Sequence, residues 1–302
     1  MTSPLVGRSD ARRRVEACLR AGRNVLLEGP VGVGKTHLAL AIAEGMGLPV
    51  FRIDGDGRYT EQKLTGWFDP PAVLQSGYGR ESFLPGPLVE AMRAGGILLV
   101  NELNRLPEGV QNVLLPAIDE RLLAVPRLGE LRARDGFRVI ATQNPREFVA
   151  TSHLSEALLD RFELVVLDYQ SEAEEVAIVL AQRGEEGVRH LDEAVREVLA
   201  GSAVAIARAT RSDPRVRRGA SVRAAIAIAE IAESLALGGT PLGRAVEEAA
   251  AIALPTRIEL ARDFGAESEA IDDAAQVAAE IAKAAAAPIA DAAKKVPRQP
   301  GA

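Results

Sequence analysis

Residues 24–36 read NVLLEGPVGVGKT. The first five, NVLLE, form a short apolar run suited to a buried strand. Residues 29–36, GPVGVGKT, fit the pattern GxxxxGK[ST], and residues 35–46 return to helical spacing of apolar positions. The glycines let the backbone curl so that consecutive N–H groups face one anion, and the following helix adds the positive end of its dipole. Lys35 reaches outward to the outer phosphates, and the Thr36 hydroxyl suits a Mg²⁺ ion. A phosphate cradle is therefore expected from Gly29, Pro30, Val31, Gly32, Val33, Gly34, Lys35 and Thr36. A glycine-rich turn without a ligand would not need every motif position and both flanking elements together. His37 reads as an ordinary helix residue.

Strand and helix patterns alternate on both sides of this stretch, which indicates an α/β domain with a parallel sheet. A helix is expected from Ser9-Asp10 to about Ala21, and a second strand at 49–53. Residues 55–87 are rich in Gly, Pro and aromatics, including Tyr59, Trp67, Phe68, Tyr78 and Phe83, and read as a long functional loop. A helix at 88–94 leads to an apolar strand at 97–100. There Asn101 and Glu102 stand at the strand end, where a nucleotide site needs a group to hold Mg²⁺ through water and a base for the attacking water. Glu102 is the candidate base. Asn101 keeps an acceptor oxygen but carries no charge, so weak Mg²⁺ affinity and slow hydrolysis are expected; the alternatives are a silent change, with Thr36 and the phosphates holding the metal, or an engineered substitution that traps ATP. A helix entered by Pro107, a hairpin over 122–134 and strands at 137–141 and 163–167 follow. ATQNP ends the first of those strands, and Asn144 is its candidate phosphate-side amide, because ligands lie outside the carboxyl ends of parallel strands. Arg161 in LLDRF precedes the last strand; an ion pair with Asp160 is its plainer reading.

After Asp168 only helices are expected, at 171–184, 190–207, 220–237 and 240–253. The expected organisation is an α/β core over 1–168, a helical lid over 169–265, and a C-terminal helix with a frayed tail over 266–302. A chain of 302 residues suits one large domain plus a smaller one. Its 36 Lys and Arg against 42 Asp and Glu leave a charge of −6, which argues against general nucleic-acid binding. The single cysteine, Cys18, excludes an internal disulfide and reads as a small core residue. The three histidines, His37, His153 and His190, have no metal-binding spacing. The segment MTSPLVGRSD lacks the apolar centre of a signal peptide, and no apolar run reaches membrane-spanning length, so a cytoplasmic location is expected.

LLEGPVGVGKT, GPLVEAMRAGGILLVNELNR, VIATQNP, LSEALLDRF and RRGASVRAA occur in this order and cover most of residues 5–225. Together they resemble the AAA+ ATPases and, within them, the MoxR family. The phosphate loop is shared by many ATPases and GTPases, whereas the NELNR, ATQNP and DRF series is far more specific. The resemblance implies a five-stranded Rossmann-like core, a helical lid and a ring, usually a hexamer, with ATP between subunits. It implies that Asn144 is the sensor-1 residue, Arg161 the arginine finger and Arg223 the sensor-2 residue on the lid. Segment 55–87 resembles the helix-2 insert of this clade, and the hairpin resembles the one that precedes sensor 1. The departures are Asn101, where the family pattern has Asp, and Val222, where it has Pro. Members of the family are chaperones that mature or activate metalloenzymes and other complexes, commonly with a partner bearing a von Willebrand factor A (VWA) domain.

Two other functions compete with a protein remodeller. A nucleic-acid motor would use the arginines at 208, 211, 215, 217, 218 and 223, and those at 127, 132, 134 and 138 by the hairpin. Against it stand the acidic balance and the lack of aromatics beside those arginines. An ATP-gated structural ring with little hydrolysis is the third reading, and Asn101 is its basis.

Overall fold

The chain enters the first helix, Ser9–Arg20 (α1), without the expected side-chain cap: Ser9 is already helical and Arg8 precedes it at φ 63°. The computed structural model describes residues 5–144, 154–182, 191–261 and 270–293, so His153, His190, Pro145 and the expected tail after 293 lie outside the described residues. The chain divides into two compact units, residues 8–168 and residues 1–7 with 169–302.

In the first unit, Asn24–Glu28 (β1), Lys35–Gly45 (α2) and Val50–Asp54 (β2) follow α1. The expected loop is instead organised as Glu61–Thr65 (α3), Gly66–Phe68 (β3), Pro70–Ser76 (α4) and Phe83–Pro85 (β4). Its local cues are ordinary ones. Thr60 caps α3 by accepting from Lys63 N, and Asp69 caps α4 by accepting from Ala72 N, with Pro70 in the first turn. β3 and β4 pair antiparallel, and Phe83 is buried against Phe68 with ring centres 5.2 Å apart. Trp67 and Tyr78 remain exposed, so the insert's aromatics divide between packing and surface. Arg127, in the hairpin turn, lies 3.9 Å from the centre of the Tyr78 ring.

Pro87–Ala94 (α5) and Ile97–Asn101 (β5) come next, then Glu108–Asp119 (α6). The expected hairpin is Leu122–Val125 (β6) with Gly129–Arg132 (β7). Arg138–Gln143 (β8), Glu156–Leu159 (α7) and Phe162–Val166 (β9) complete the unit. β1, β2, β5, β8 and β9 form one five-stranded parallel sheet in the order β2-β5-β8-β1-β9. The three inner strands carry unbroken apolar runs because both of their faces are covered: Val25–Leu27, Ile97–Val100 and Val139–Ala141 are all buried. The edge strands β2 and β9 are only partly buried. Cys18 is half-buried rather than in the core, since α1 turns Val15 and Leu19 inward.

The second unit contains Glu172–Ala181 (α8), Glu193–Ser212 (α9), Val216–Arg218 (β10), Val222–Leu237 (α10), Leu242–Ala253 (α11), Glu259–Leu260 (β11) and Ala270–Ala293 (α12). Ser171 and Glu174 form a capping box that starts α8. The small antiparallel pair β10–β11 is an addition to the helices that the sequence pattern did not reveal, because strands of three and two residues leave no periodicity. Alanines at 203, 207, 224, 225, 249 and 250 are buried between helices, so this core relies on close backbone approach. Among the described residues, no helix is long and apolar enough to cross a membrane.

Leu99 on β5 is fully buried at the sheet centre. Leu99→Ala should lower stability by about 2–5 kcal/mol, read as a drop in denaturation midpoint.

Candidate functional site

The strand order sets the site. Because the sheet is parallel, the ends of β2, β5, β8 and β1 present Asp54, Asn101, Gln143 and Glu28 along one edge. This is the edge at which open α/β sheets receive ligands. The loop after β1 is held there from several sides. A Cβ at Gly29 would lie 2.2 Å from the Leu167 carbonyl oxygen, so only glycine lets the loop leave the sheet so close to the end of β9. Gly34 precedes α2 at φ 86°, and α2 has no side-chain cap, which leaves its first N–H groups facing the loop. Arg8 donates to the carbonyls of Val33 at 2.9 Å and Asp168 at 2.6 Å, tying the loop to the chain after β9.

Lys35 is 8% exposed. Its Nζ donates to the carbonyls of Gly29 and Pro30 and to Asn144 Oδ1, at 2.7, 2.9 and 2.9 Å. The ammonium thus folds over its own loop and reaches the end of β8. Thr36 Oγ1 donates to Asn101 Oδ1 at 2.7 Å, and Thr142 Oγ1 donates to the same oxygen at 2.9 Å. Asn101 Nδ2 donates to Asp54 Oδ1 at 3.0 Å. Asn101 therefore joins three neighbouring elements: α2, β8 and β2.

Glu102 follows at φ 56°, a left-handed conformation that is costly for a side chain of this kind and turns the chain sharply at the strand end. Its N–H donates to Thr142 Oγ1 at 3.0 Å. Its carboxylate pairs with Arg105 at 2.7 Å and accepts from Asn144 Nδ2 at 3.4 Å. The hydrogen bond that Arg105 donates to the Glu102 carboxylate raises the Arg105 pKa above its ordinary value. The Arg52 guanidinium, hydrogen-bonded to Asp54, holds that carboxyl below the usual carboxylate range, with a smaller contribution from the Asn101 amide in the same direction.

Lys35, Thr36, Asn101, Glu102 and Asn144 are thus brought together, and the donor set suits a polyphosphate with a hard cation: a lysine, helix N–H groups, a hydroxyl, an amide oxygen and carboxylates. Thr142 and Asp54 belong to the same cluster, although neither stood among the candidates. The signal for Thr142 lay inside ATQNP, and for Asp54 in an acidic residue at a strand end. Of the other two candidates, one stands at the opposite end of the sheet and one belongs to the second unit. Arg161 stands just before Phe162, which is in register with Asn24, at the amino end of β1. The phosphate loop leaves the opposite end of that strand, about 15 Å away at 3.3 Å per residue. Arg161 pairs with Asp119 at 2.5 Å rather than with Asp160, because α6 ends beside it. The two line a polar cavity of about 420 Å³ with Arg23, Arg121 and Arg138. Arg223 is exposed in the first turn of α10, in the second unit.

A family model described as the AAA domain of the dynein-related subfamily matches residues 24–162. YeaC of Bacillus subtilis, an uncharacterized protein, is 31% identical over 256 residues, covering 77% of this chain and 75% of its own. The gas vesicle ATPase GvpN of Ancylobacter aquaticus is 28% identical over 239 residues, covering 74% of this chain and 64% of its own length. Among solved structures, RuvB of Thermotoga maritima has the same fold at a TM-score of 0.55 and 18% identity, over 82% of this chain and 71% of that one. NtrX of Brucella abortus, solved in complex with ADP, matches at a TM-score of 0.51 and 20% identity, over 77% of this chain and 51% of that one. The chain has the AAA+ fold. It belongs to the MoxR family of AAA+ ATPases.

Thr142 is buried and serves both Asn101 and Glu102. Thr142→Val keeps its shape but leaves the Glu102 N–H without its acceptor. A loss of about 1–3 kcal/mol in urea unfolding is expected.

Proposed function

We propose that this chain binds and hydrolyses ATP with Mg²⁺ at the carboxyl edge of the sheet, and uses the cycle to remodel or activate a partner protein as a MoxR-type chaperone. The observation that carries the reading is the single cluster of Lys35, Thr36, Asn101, Glu102 and Asn144 around the loop 29–36. Lys35 would exchange its loop carbonyls for phosphate oxygens. Thr36 would release Asn101 and turn its hydroxyl to the cation, with Asn101 accepting from a cation-bound water. The bound cation would neutralise phosphate charge as the terminal phosphoryl group departs. Glu102, freed from Arg105, would orient the attacking water, and Asn144 would hold both Lys35 and the terminal phosphate in place. Asn101 has one charge fewer than a carboxylate, which favours slow basal turnover and a long-lived ATP state.

The family resemblance points to a ring homo-oligomer, with six subunits the expected number, and the position of Arg161 agrees with it. Arg161 lies at the far end of the sheet from its own phosphate loop, so its role as an arginine finger requires a neighbouring copy. In the same reading residues 8–168 are the ATPase core, the helical unit after 168 is the lid, and Arg223 is its sensor-2 contact to nucleotide. The insert over 55–87 would meet the client or a VWA-domain partner through its exposed Trp67 and Tyr78. A cytoplasmic location suits this cycle.

Ion pairing tells against a nucleic-acid motor. Arg208 and Arg211 converge on the buried Glu175, at 3.2 and 2.8 Å. Arg215 pairs with Asp213 and Glu280, and Arg217 and Arg218 with Glu259. Little of that cluster is left as net positive surface for a phosphate backbone. The ATP-gated structural ring differs from the main reading only in turnover, which a steady-state phosphate-release assay decides.

Lys35→Ala should abolish ATP binding measured by calorimetry; unchanged affinity would place the nucleotide elsewhere. Arg161→Ala and Glu102→Gln should each lower turnover, with ~10³-fold the scale for an arginine finger. Mixing the two variants should restore part of the rate, because one kind of interface then keeps both groups. A mixture no more active than its components would exclude the shared site.

A further inference from the structure

We infer that Asp54 is a positioning residue of the cation site, supplying through the Asn101 amide the negative charge that position 101 lacks. The inference rests on the proposed nucleotide site and adds a residue to it. Asp54 closes β2 in register with Asn101 at the end of β5, so the two side chains leave adjacent strands at the same level. The strand ends are pinned together by Gly55, whose N–H donates to the Asn101 carbonyl at 2.7 Å. A Cβ at Gly55 would lie 2.1 Å from the Glu102 carbonyl oxygen, so the approach is as close as a backbone allows.

The side chains use this closeness. Asp54 Oδ1 accepts from Asn101 Nδ2 at 3.0 Å. An ionised carboxylate only accepts, so it selects the NH₂ end of the amide. Asn101 Oδ1 is thereby aimed at Thr36 and Thr142, whose hydroxyls donate to it at 2.7 and 2.9 Å. Hydroxyls donate or accept with equal ease, so those two partners alone would leave the amide free to turn over. The turned amide would offer an N–H to a cation-bound water that itself needs to donate. The bond to Asp54 also polarises the amide, shifting electron density toward Oδ1. Asp54 thus does two things for a neutral Asn101: it fixes which atom faces the cation, and it makes that atom a stronger acceptor. Arg52 also pairs with Asp54 at 2.7 Å and offsets part of its charge, and with side chains 47% and 60% exposed solvent weakens the remaining field at the cation. A charge one hydrogen bond removed from the cation acts more weakly than a carboxylate at 101 itself, which agrees with the slow turnover proposed above.

The test is ATP affinity by calorimetry as a function of Mg²⁺ concentration, in the unaltered chain, in Asp54→Asn and in the exchanged pair Asp54→Asn with Asn101→Asp. Asp54→Asn keeps the shape and an acceptor for Nδ2 and removes only the charge. Metal-free ATP affinity should be the same in all three. The Mg²⁺ concentration for half-maximal enhancement should rise about tenfold in Asp54→Asn, the scale of one unit charge near a divalent ion in a partly wet site. In the exchanged pair it should return to the original value or below. An unchanged Mg²⁺ response in Asp54→Asn would overturn the inference, and so would a rise that the exchange fails to reverse, which is the mark of a structural role. ATP binding that persists with such a result would leave the proposed function standing; an unaltered chain that binds no ATP would overturn both.

Discussion

The side-chain amide of Asn101 is the junction on which the site depends. Its oxygen receives hydroxyls from Thr36 on the nucleotide-loop helix and Thr142 on the adjacent strand, and its nitrogen reaches Asp54 on the other neighbouring strand. Four elements of the sheet edge therefore meet at one hydrogen-bonded node. In the proposed cycle Thr36 leaves this node for the cation, while the bonds to Thr142 and Asp54 would keep the amide in place. Glu102 gains its position from the same node, since its backbone N–H is held by the hydroxyl that Asn101 binds.

The node exists only because the sheet is parallel and ordered β2-β5-β8-β1-β9. Three inner strands covered on both faces fix the levels of their carboxyl ends, and tight glycines at 29 and 55 bring the connecting chains against those ends. The same arrangement leaves Arg161 at the amino end of the sheet, away from the loop 29–36. In the proposed cycle, Arg161 would act on the nucleotide of a neighbouring copy, and assembly would join the two halves of the site. A polar cavity beside Arg161 has Arg23, Arg121 and Arg138 on its walls.

Much of this was legible in the sequence because each element carries its own cue. The apolar runs of β1, β5 and β8 reflect burial on two faces, and GPVGVGKT has a backbone geometry that few other residues permit. The candidate residues at 35, 36, 101, 102 and 144, which the fold brings together, stood out because they lie at strand or helix ends. Asp54 and Thr142 were not, since their importance comes from register between strands, which one chain read in order does not display. The insert over 55–87 looked structureless because its elements are three to seven residues long, too short to establish a period, although the caps at Thr60 and Asp69 were present. The basic stretch after 208 was misleading in the opposite way: its arginines look like a surface until Glu175, Asp213, Glu259 and Glu280 are folded against them.

The most direct measurement is an experimental structure of the assembled protein with Mg²⁺ and a non-hydrolysable ATP analogue. The account predicts phosphates in the loop 29–36, Lys35 lifted from the Gly29 and Pro30 carbonyls, and the Thr36 hydroxyl moved from Asn101 to the cation. The Asn101 nitrogen stays on Asp54, and Arg161 of a neighbouring copy approaches the terminal phosphate. Nucleotide bound away from this loop, or a bound site with Lys35 still folded on its own carbonyls, would contradict it.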